Sequence, residues 1–499
     1  MTYRVSMRIL VTTATTLWIA GACSSTPTEP SGAGGNGPSA SGGTANGAAG
    51  GSPDQGAGGT GAASSSTSAA GGNPASGGRT ASTVQTSTGG KLTTGGVTGA
   101  SGATGGITGA SGTTSAGGTL SSSTSGSGGT TSSSSTGSSS PSSNTTGPCD
   151  IYAAASLPCV AAYSTVRVLL STYTGPLYQV RKGGTNNVFK GNQAVGTVGG
   201  TSGGTTQDIG ATADGFADSA AQDTFCGTST CSFSVLYDQS GQGNNLTQAP
   251  AGSYEPGPDY EVPASHSVTV GGHKVYSVYF PNPPSLPSGS APSGYGYRND
   301  KTKGVPTDTA AQGVYMLADG THAGSACCFD FGNAETNNGN GPAGEMAALN
   351  LGTSYWGQGA GSAPWFEADF EDGVWAGGSS CGTPGSGQLT CSGRQANPQN
   401  PTMKSVAYAM GILKTSTTNN ASQWVLKVGD VTSGSLTTAY SGAAPATFSL
   451  QGAVDLGTGG DNSNSSWGTF YEGAMVAGVP SDTTDQAVYA NVGAAGYGK

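Results

Sequence analysis

Residues 24–147 are built almost wholly of Gly, Ser, Thr and Ala, and this tract limits what the chain can fold into more than any other feature. It has no aromatic residue and only four charges, Glu29, Asp54, Arg79 and Lys91. So little apolar side chain cannot offset the entropy of ordering the backbone. The near-repeats Thr98-Gly-Ala-Ser-Gly and Thr108-Gly-Ala-Ser-Gly are low complexity, not a packed repeat. A Gly/Ser-rich chain of this length has an r.m.s. reach on the order of 60 Å. The tract is expected to be a disordered linker, and any chemistry must come from the residues around it.

Before the linker, Arg4 and Arg8 lead into a short, mostly apolar run from Ile9 to Ala22. The run is too short to span a bilayer, so residues 1–22 read as an export signal. Small residues directly before Cys23 resemble a bacterial lipoprotein signal, with Cys23 as the lipid-bearing terminus; an ordinary cleaved signal is the alternative. One lipid would tether the protein without a spanning helix. The expected location is therefore outside the cytoplasm, as a secreted cell-surface lipoprotein of the outer membrane or cell envelope, with the lipid its only membrane contact.

Composition changes at Pro148. From there to Lys499 the chain holds every tyrosine but Tyr3, every tryptophan but Trp18 and eight of nine cysteines, enough for one large domain with a core of its own. Its 13 Lys+Arg against 25 Asp+Glu exclude a basic nucleic-acid or anionic-membrane surface. Low charge with abundant Tyr, Trp, Asn, Gly and Ser suits a neutral, hydroxyl-rich ligand such as a sugar, bound by a monomer. Eight cysteines outside Cys23 fit an oxidising compartment. Cys149 with Cys159 and Cys226 with Cys231 look like short local loops, and Cys381 with Cys391 brackets a Gly/Pro-rich one. With no CxxC pair and only His266, His273 and His322, no metal or other cofactor is expected.

The domain reads as all-β. Short β-branched or aromatic runs begin at Val166, Ser232, Ser267, Lys274, Val406, Trp424 and Thr469, separated by Gly, Pro, Asn and Ser. That pattern predicts a two-sheet β-sandwich of the jelly-roll or concanavalin-like kind. One helix is expected over Ser481 to Ala494, capped by Ser481.

Within Pro364-Trp-Phe-Glu-Ala-Asp-Phe-Glu-Asp372, strand alternation sends Phe366, Ala368 and Phe370 to one side and Trp365, Glu367, Asp369 and Glu371 to the other. Carboxylates this close repel, a cost that either a catalytic site or a solvated acidic face would explain. Cleaving a glycosidic bond takes two carboxyls. Candidates for the second are Asp238, Asp330, Glu335 and Asp461, although Asp238 and Asp461 sit among Gly and Asn as ordinary turn residues do. The adjacent Cys327 and Cys328 could bond to each other or to distant partners. No G-x-S-x-G elbow in a strand-to-helix context supports a serine hydrolase.

Several ordered segments resemble glycoside hydrolase family 54, the arabinofuranosidase B type, across essentially all of 148–499. They include Pro148-Cys-Asp-Ile-Tyr, Ala221-Gln-Asp-Thr-Phe-Cys226, Tyr237-Asp-Gln-Ser-Gly, Gly296-Tyr-Arg-Asn299, Asp319-Gly-Thr-His322, Ala326-Cys-Cys-Phe-Asp-Phe-Gly-Asn-Ala-Glu335, Gly460-Asp-Asn-Ser-Asn464 and Gly468-Thr-Phe-Tyr-Glu-Gly473. The resemblance implies a β-sandwich and a retaining double displacement. It implies Glu371 as nucleophile, Asp461 as acid/base and Asp369 as a ligand of a sugar hydroxyl. Trp356 would be an aromatic wall, Gly460 a backbone contact, and Cys327–Cys328 a vicinal disulfide lining the pocket. Asp372 stands at a binding position where asparagine is familiar, and Glu367 where the family has an apolar residue. The loop with Cys381 and Cys391 is not a family feature. The expected activity is release of terminal α-L-arabinofuranosyl groups from arabinan, arabinoxylan and related plant polysaccharides. A non-catalytic, lectin-like surface protein is the alternative.

Overall fold

The computed structural model describes residues 146–187, 200–255, 257–283, 294–325, 327–352, 357–377 and 395–499. The signal, Cys23, the linker up to residue 145 and Trp356 lie outside the described residues.

Two seven-stranded antiparallel sheets make the body. The first runs in the order Cys159–Ser164, Gly468–Ala477, Gln312–Ala323, Ala409–Thr418, Ala421–Asp430, Thr437–Ala443, with Val278–Phe280 also paired to Gly468–Ala477. The second runs Val374–Trp375, Trp365–Asp369, Ala347–Gly352, Asp330–Ala334, Ala453–Leu456, Tyr297–Asn299, Thr247–Gln248.

Aromatic side chains fill the space between them. Phe331 of the second sheet meets Phe470 of the first at 5.3 Å between ring centroids, and Phe370 meets Trp424 edge-on at 5.2 Å. Gly473 admits Phe331: a Cβ there would lie 2.5 Å from its ring. Apolar burial on this scale is the main force closing the sandwich.

A three-stranded sheet of Thr205–Ile209, Tyr178–Lys182 and Cys231–Leu236 flanks the body, with the Ser219–Cys226 helix beside it. Disulfides Cys149–Cys159 and Cys226–Cys231 close the two short loops, and Cys327 is bonded to Cys328. The expected bond between Cys381 and Cys391 is not among the disulfides of the described residues. Cys381 lies outside those residues, and Cys391 does too. The C-terminal helix spans Asp482–Ala494, and the Ser481 hydroxyl accepts the N–H of Thr484 at 3.1 Å.

Two strand expectations need correction. The run from Val166 is irregular, its one β-pairing among the described residues the isolated bridge Arg167–Phe216. The Ser164 hydroxyl accepts the N–H groups of both Val166 and Arg167, each at 3.1 Å, and so ends the Cys159–Ser164 strand there. The run from Lys274 is two strands, His273–Tyr276 and Val278–Phe280. Ser277 donates its N–H at 3.0 Å to the His266 carbonyl instead of continuing either ladder. Two helices, Pro148–Ala154 and Ser219–Cys226, were not anticipated; Asp218 caps the second through the Ala221 N–H.

Candidate active site

In the second sheet Leu456, Phe331, Leu349 and Ala368 form one cross-strand row, and Asp455, Gly332, Ala348 and Asp369 form the next. The first row points into the aromatic core. Pleating therefore turns Asp455 and Asp369 to the opposite face, with Asp330, Asn350 and Glu367 in the row beyond. All five of these polar residues are buried, so the acidic side of the Trp365–Asp369 strand is not a solvated face. The Asn350 amide donates to Asp330 at 2.6 Å.

Glu371 lies just past this strand. Phe370 stays in the core, and the chain then turns through φ values of 60° at Glu371, 51° at Asp372 and 150° at Gly373. Left-handed backbone at two consecutive non-glycine residues is strained, a condition that collects at functional sites. The Glu371 N–H donates to Asp369 Oδ1 at 3.0 Å, and Glu371 Oε1 accepts the Gly341 N–H at 3.2 Å. The nucleophile candidate is thus held by its own strand and by the 336–345 loop. Asp372 is exposed beside it.

Asp461 comes from the other side, in the turn after Ala453–Leu456. Ser463 donates its N–H to Asp461 Oδ1 at 2.9 Å. The turn is pinned from below. Asp259 accepts the amides of Asn462 and Asn464 at 3.0 and 2.6 Å, and Arg298 donates to the Gly460 carbonyl at 2.7 Å. The disulfide joins the two halves. Cys328 Sγ is 3.5 Å from Asp369 Oδ2 and 3.5 Å from Ser463 Oγ, and the Cys328 N–H donates to the Ser463 carbonyl at 3.2 Å. Cys327, Cys328 and Asp369 are close enough to suggest a metal cluster. Sulfurs bonded to each other carry no thiolate, however, so the pair supplies an apolar surface and not metal ligands.

The cluster is electrostatically overloaded. Burial raises Glu371 well above the carboxylate range, and Glu335, Asp369 and Asp461 push it further. Burial likewise lifts Asp369 and Glu335 to about 7. Asp330 and Asp455 beneath them are raised well above the ordinary range by burial, with Asp369 adding to both. Beside Asp461, Glu255 is pushed to about 8 by burial and then by Asp259 and Asp461. Glu371, Asp369, Glu335 and Asp461 therefore lie within electrostatic reach of one another. Residues 148–498 match the family described as α-L-arabinofuranosidase B, catalytic.

The chain belongs to that arabinofuranosidase B family. An α-L-arabinofuranosidase of Hypocrea jecorina is 43% identical over 363 residues, 70% of this chain and 63% of its own length. A crystal structure of an arabinofuranosidase complexed with arabinofuranosyl-α-1,2-xylobiose superposes with a TM-score of 0.58 at 40% identity, over 70% of this chain and 65% of that one. A glutamine mutant of a GH54 α-L-arabinofuranosidase soaked with 4-nitrophenyl α-L-arabinofuranoside matches equally well. The chain spans less than two thirds of the length of these relatives.

Of the other second-carboxyl candidates, Asp238 holds a different place, in the loop after the Cys231–Leu236 strand. Its oxygens accept the N–H groups of Ala162, Ser240 and Asn244 and the Ser240 hydroxyl, all within 2.9 Å, which makes it the clasp of its own loop. Asp330 lies under Asp369, and Glu335 sits in the site itself. Sequence reasoning gave no role to Arg298, Asp259 or Glu255. Arg298 stood within a family segment, and an arginine in a strand of an acidic domain was the available signal.

Proposed function

We propose that this chain is a retaining α-L-arabinofuranosidase that removes terminal non-reducing arabinofuranosyl groups from plant arabinan or arabinoxylan. The observation that carries this is the grouping of buried Glu371 and half-buried Asp461, ninety residues apart in sequence, in one acidic cluster beside a vicinal disulfide. A Glu371 oxygen attacks C1 of the sugar while Asp461 gives its proton to the departing glycosidic oxygen. Asp461 then takes a proton from water, whose oxygen displaces Glu371 from C1 and restores the original configuration. Asp369 binds a sugar hydroxyl, and the disulfide packs on an apolar face of the ring. Asp372, the Gly460 backbone and Trp356 complete the binding site in this reading.

A panel of aryl glycosides separates this reading from its rivals. Rapid release of nitrophenol from the α-L-arabinofuranoside alone supports it. Binding without turnover would favour a lectin-like role, and a preference for galactofuranoside or xyloside would redirect the substrate. The same proposal has residues 1–22 exporting the protein, Cys23 carrying lipid, and 24–147 acting as a stalk for a monomeric enzyme at the cell surface. Incorporation of labelled palmitate that disappears in Cys23→Ala tests the anchor.

A further inference from the structure

Gly252, Ser253, Tyr254 and Glu255 form a loop that bridges the two halves of the site. The Tyr254 N–H donates to the backbone carbonyl of Asp461 at 3.1 Å, and a Cβ on Gly252 would fall 2.2 Å from that same oxygen. On the other side the Ser253 N–H donates to the Asn338 carbonyl at 2.8 Å, and the Ser253 hydroxyl accepts the Asn340 N–H at 2.9 Å. The residue after Asn340 is Gly341, whose N–H reaches Glu371 Oε1. The loop is thus bonded to the backbone of the acid/base candidate and to the segment that holds the nucleophile candidate.

Its side chains part in opposite directions. Glu255 is buried, whereas Tyr254 is turned to solvent and is 37% exposed. Among the described residues no other aromatic side chain is exposed to this degree, and the other exposed large apolar residue, Val479, lies past the far end of the ten-residue Gly468–Ala477 strand. A lone exposed ring is ordinary on a protein surface. What sets Tyr254 apart is its place beside Asp461. A general acid must lie against the glycosidic oxygen, so the group that leaves departs past Asp461. The rim there is uncharged: Ser253, Asn337 and Asn340 are exposed and offer hydroxyl and amide groups. An aromatic face flanked by such groups suits a neutral sugar ring.

We propose that Tyr254 is a specificity-determining residue whose ring stacks on the sugar that leaves with the glycosidic oxygen, the first unit of a neutral polysaccharide chain. The assignment rests on the arabinofuranosidase reading, which sets the direction of departure. The same ring receives an acceptor when a sugar hydroxyl, instead of water, attacks the glycosyl-enzyme, because that step is the reverse of the first. The acceptor O–H gives its proton to Asp461, its oxygen bonds to C1, and the bond from C1 to Glu371 breaks.

The test compares full-length wild type, Tyr254→Phe and Tyr254→Ala on an arabinosylated xylotriose, on arabinotriose and on methyl α-L-arabinofuranoside, whose leaving group has no ring. The readout is the ratio of kcat/KM for the oligosaccharide that wild type cleaves faster to kcat/KM for the methyl arabinoside. Ala should lower this ratio about tenfold, the worth of one stacked ring. Phe should keep it near the wild-type value, because the ring and not the hydroxyl makes the contact. An unchanged ratio in Ala overturns the proposal whatever happens to the overall rate, since a loop that merely holds the Asp461 turn would slow both substrates alike. A Phe variant with a ratio as low as Ala's also overturns it.

Partitioning of the glycosyl-enzyme gives a second readout. With 4-nitrophenyl α-L-arabinofuranoside as donor, transfer to xylobiose or arabinobiose relative to transfer to methanol should fall in Tyr254→Ala and hold in Tyr254→Phe. Equal partitioning in all three proteins overturns the proposal. A wild type that cleaves no arabinofuranoside sinks the functional reading and this assignment with it, whereas an active wild type with unaltered ratios in Tyr254→Ala sinks the assignment alone.

Discussion

The Glu371 N–H is hydrogen-bonded to the carboxylate of Asp369, two residues earlier, at 3.0 Å. One acidic residue thereby fixes the backbone that aims the next, and the left-handed turn at Glu371 and Asp372 can persist because strand and turn hold it from both ends. The two carboxyls differ in what reaches them. Asp369 is tied to the turn and lies against the disulfide, while Glu371 accepts the Gly341 N–H from the facing loop.

Glu371→Gln removes the attacking oxygen anion but keeps shape and most hydrogen bonding. Turnover of an aryl arabinofuranoside should fall by orders of magnitude while the dissociation constant of a bound arabinoside changes little, measured by calorimetry. The fold should hold, because the amide keeps the shape of the carboxyl and its oxygen can still accept the Gly341 N–H. Near-normal turnover in this variant would remove Glu371 from the mechanism.

Asp461→Ala acts on the proton. General acid catalysis contributes about 10²–10⁴-fold, so arabinoxylan hydrolysis should drop by that much. A nitrophenyl arabinoside should lose less in its first step, since nitrophenolate leaves without much help. Added azide should then raise turnover and yield arabinosyl azide of retained configuration. Equal losses on both substrates with no azide effect would place the acid/base elsewhere.

Gly460→Ala probes the contact between the two halves of the site. A Cβ at 460 would fall 1.7 Å from Glu335 Oε2, in a region already packed and fixed by Arg298. Something must move, and overpacking of this kind costs about 1–3 kcal/mol. The Glu335 carboxyl would be displaced within the acidic cluster around Glu371, so kcat should fall together with the melting temperature. A variant with unchanged kcat would show that the close approach of residue 460 to Glu335 has no part in catalysis.

The sequence was informative where chemistry and pattern coincide and silent where packing decides. The alternation of residues 365–371 assigns the correct faces, because period two follows from strand geometry alone. It does not disclose that the polar face is also buried, since that depends on loops contributed by residues 253–255, 336–345 and 458–464. The strands Gln312–Ala323, Asp330–Ala334, Ala347–Gly352 and Ala453–Leu456 were not picked out. Ala, Gly, Asn and Asp carry little β-propensity, and their place in the sheets comes from what packs on them. Asp461 looked like a turn residue and is one: its carboxylate accepts the Ser463 N–H while it faces the cluster. Only the family segment around it set it apart from Asp238.

The buried carboxyls also set how stability depends on pH. Glu255 and Asp259 are each raised by burial to about 8, from ordinary values of 4.5 and 3.8. In the native protein both keep their protons across the interval in which the unfolded chain has lost them. The native state therefore binds more protons than the unfolded state between roughly pH 4 and 8, and stability must decline as pH rises through that window. Asp369 and Glu335, raised to about 7, act in the same direction. Denaturant midpoints measured at pH 5 and pH 8 in constant salt should be higher at pH 5. Glu255→Gln should flatten part of the difference, because an amide has no proton to lose. A protein more stable at pH 8 than at pH 5, with the variant following the same curve, would mean that these carboxyls are already ionised in the folded state.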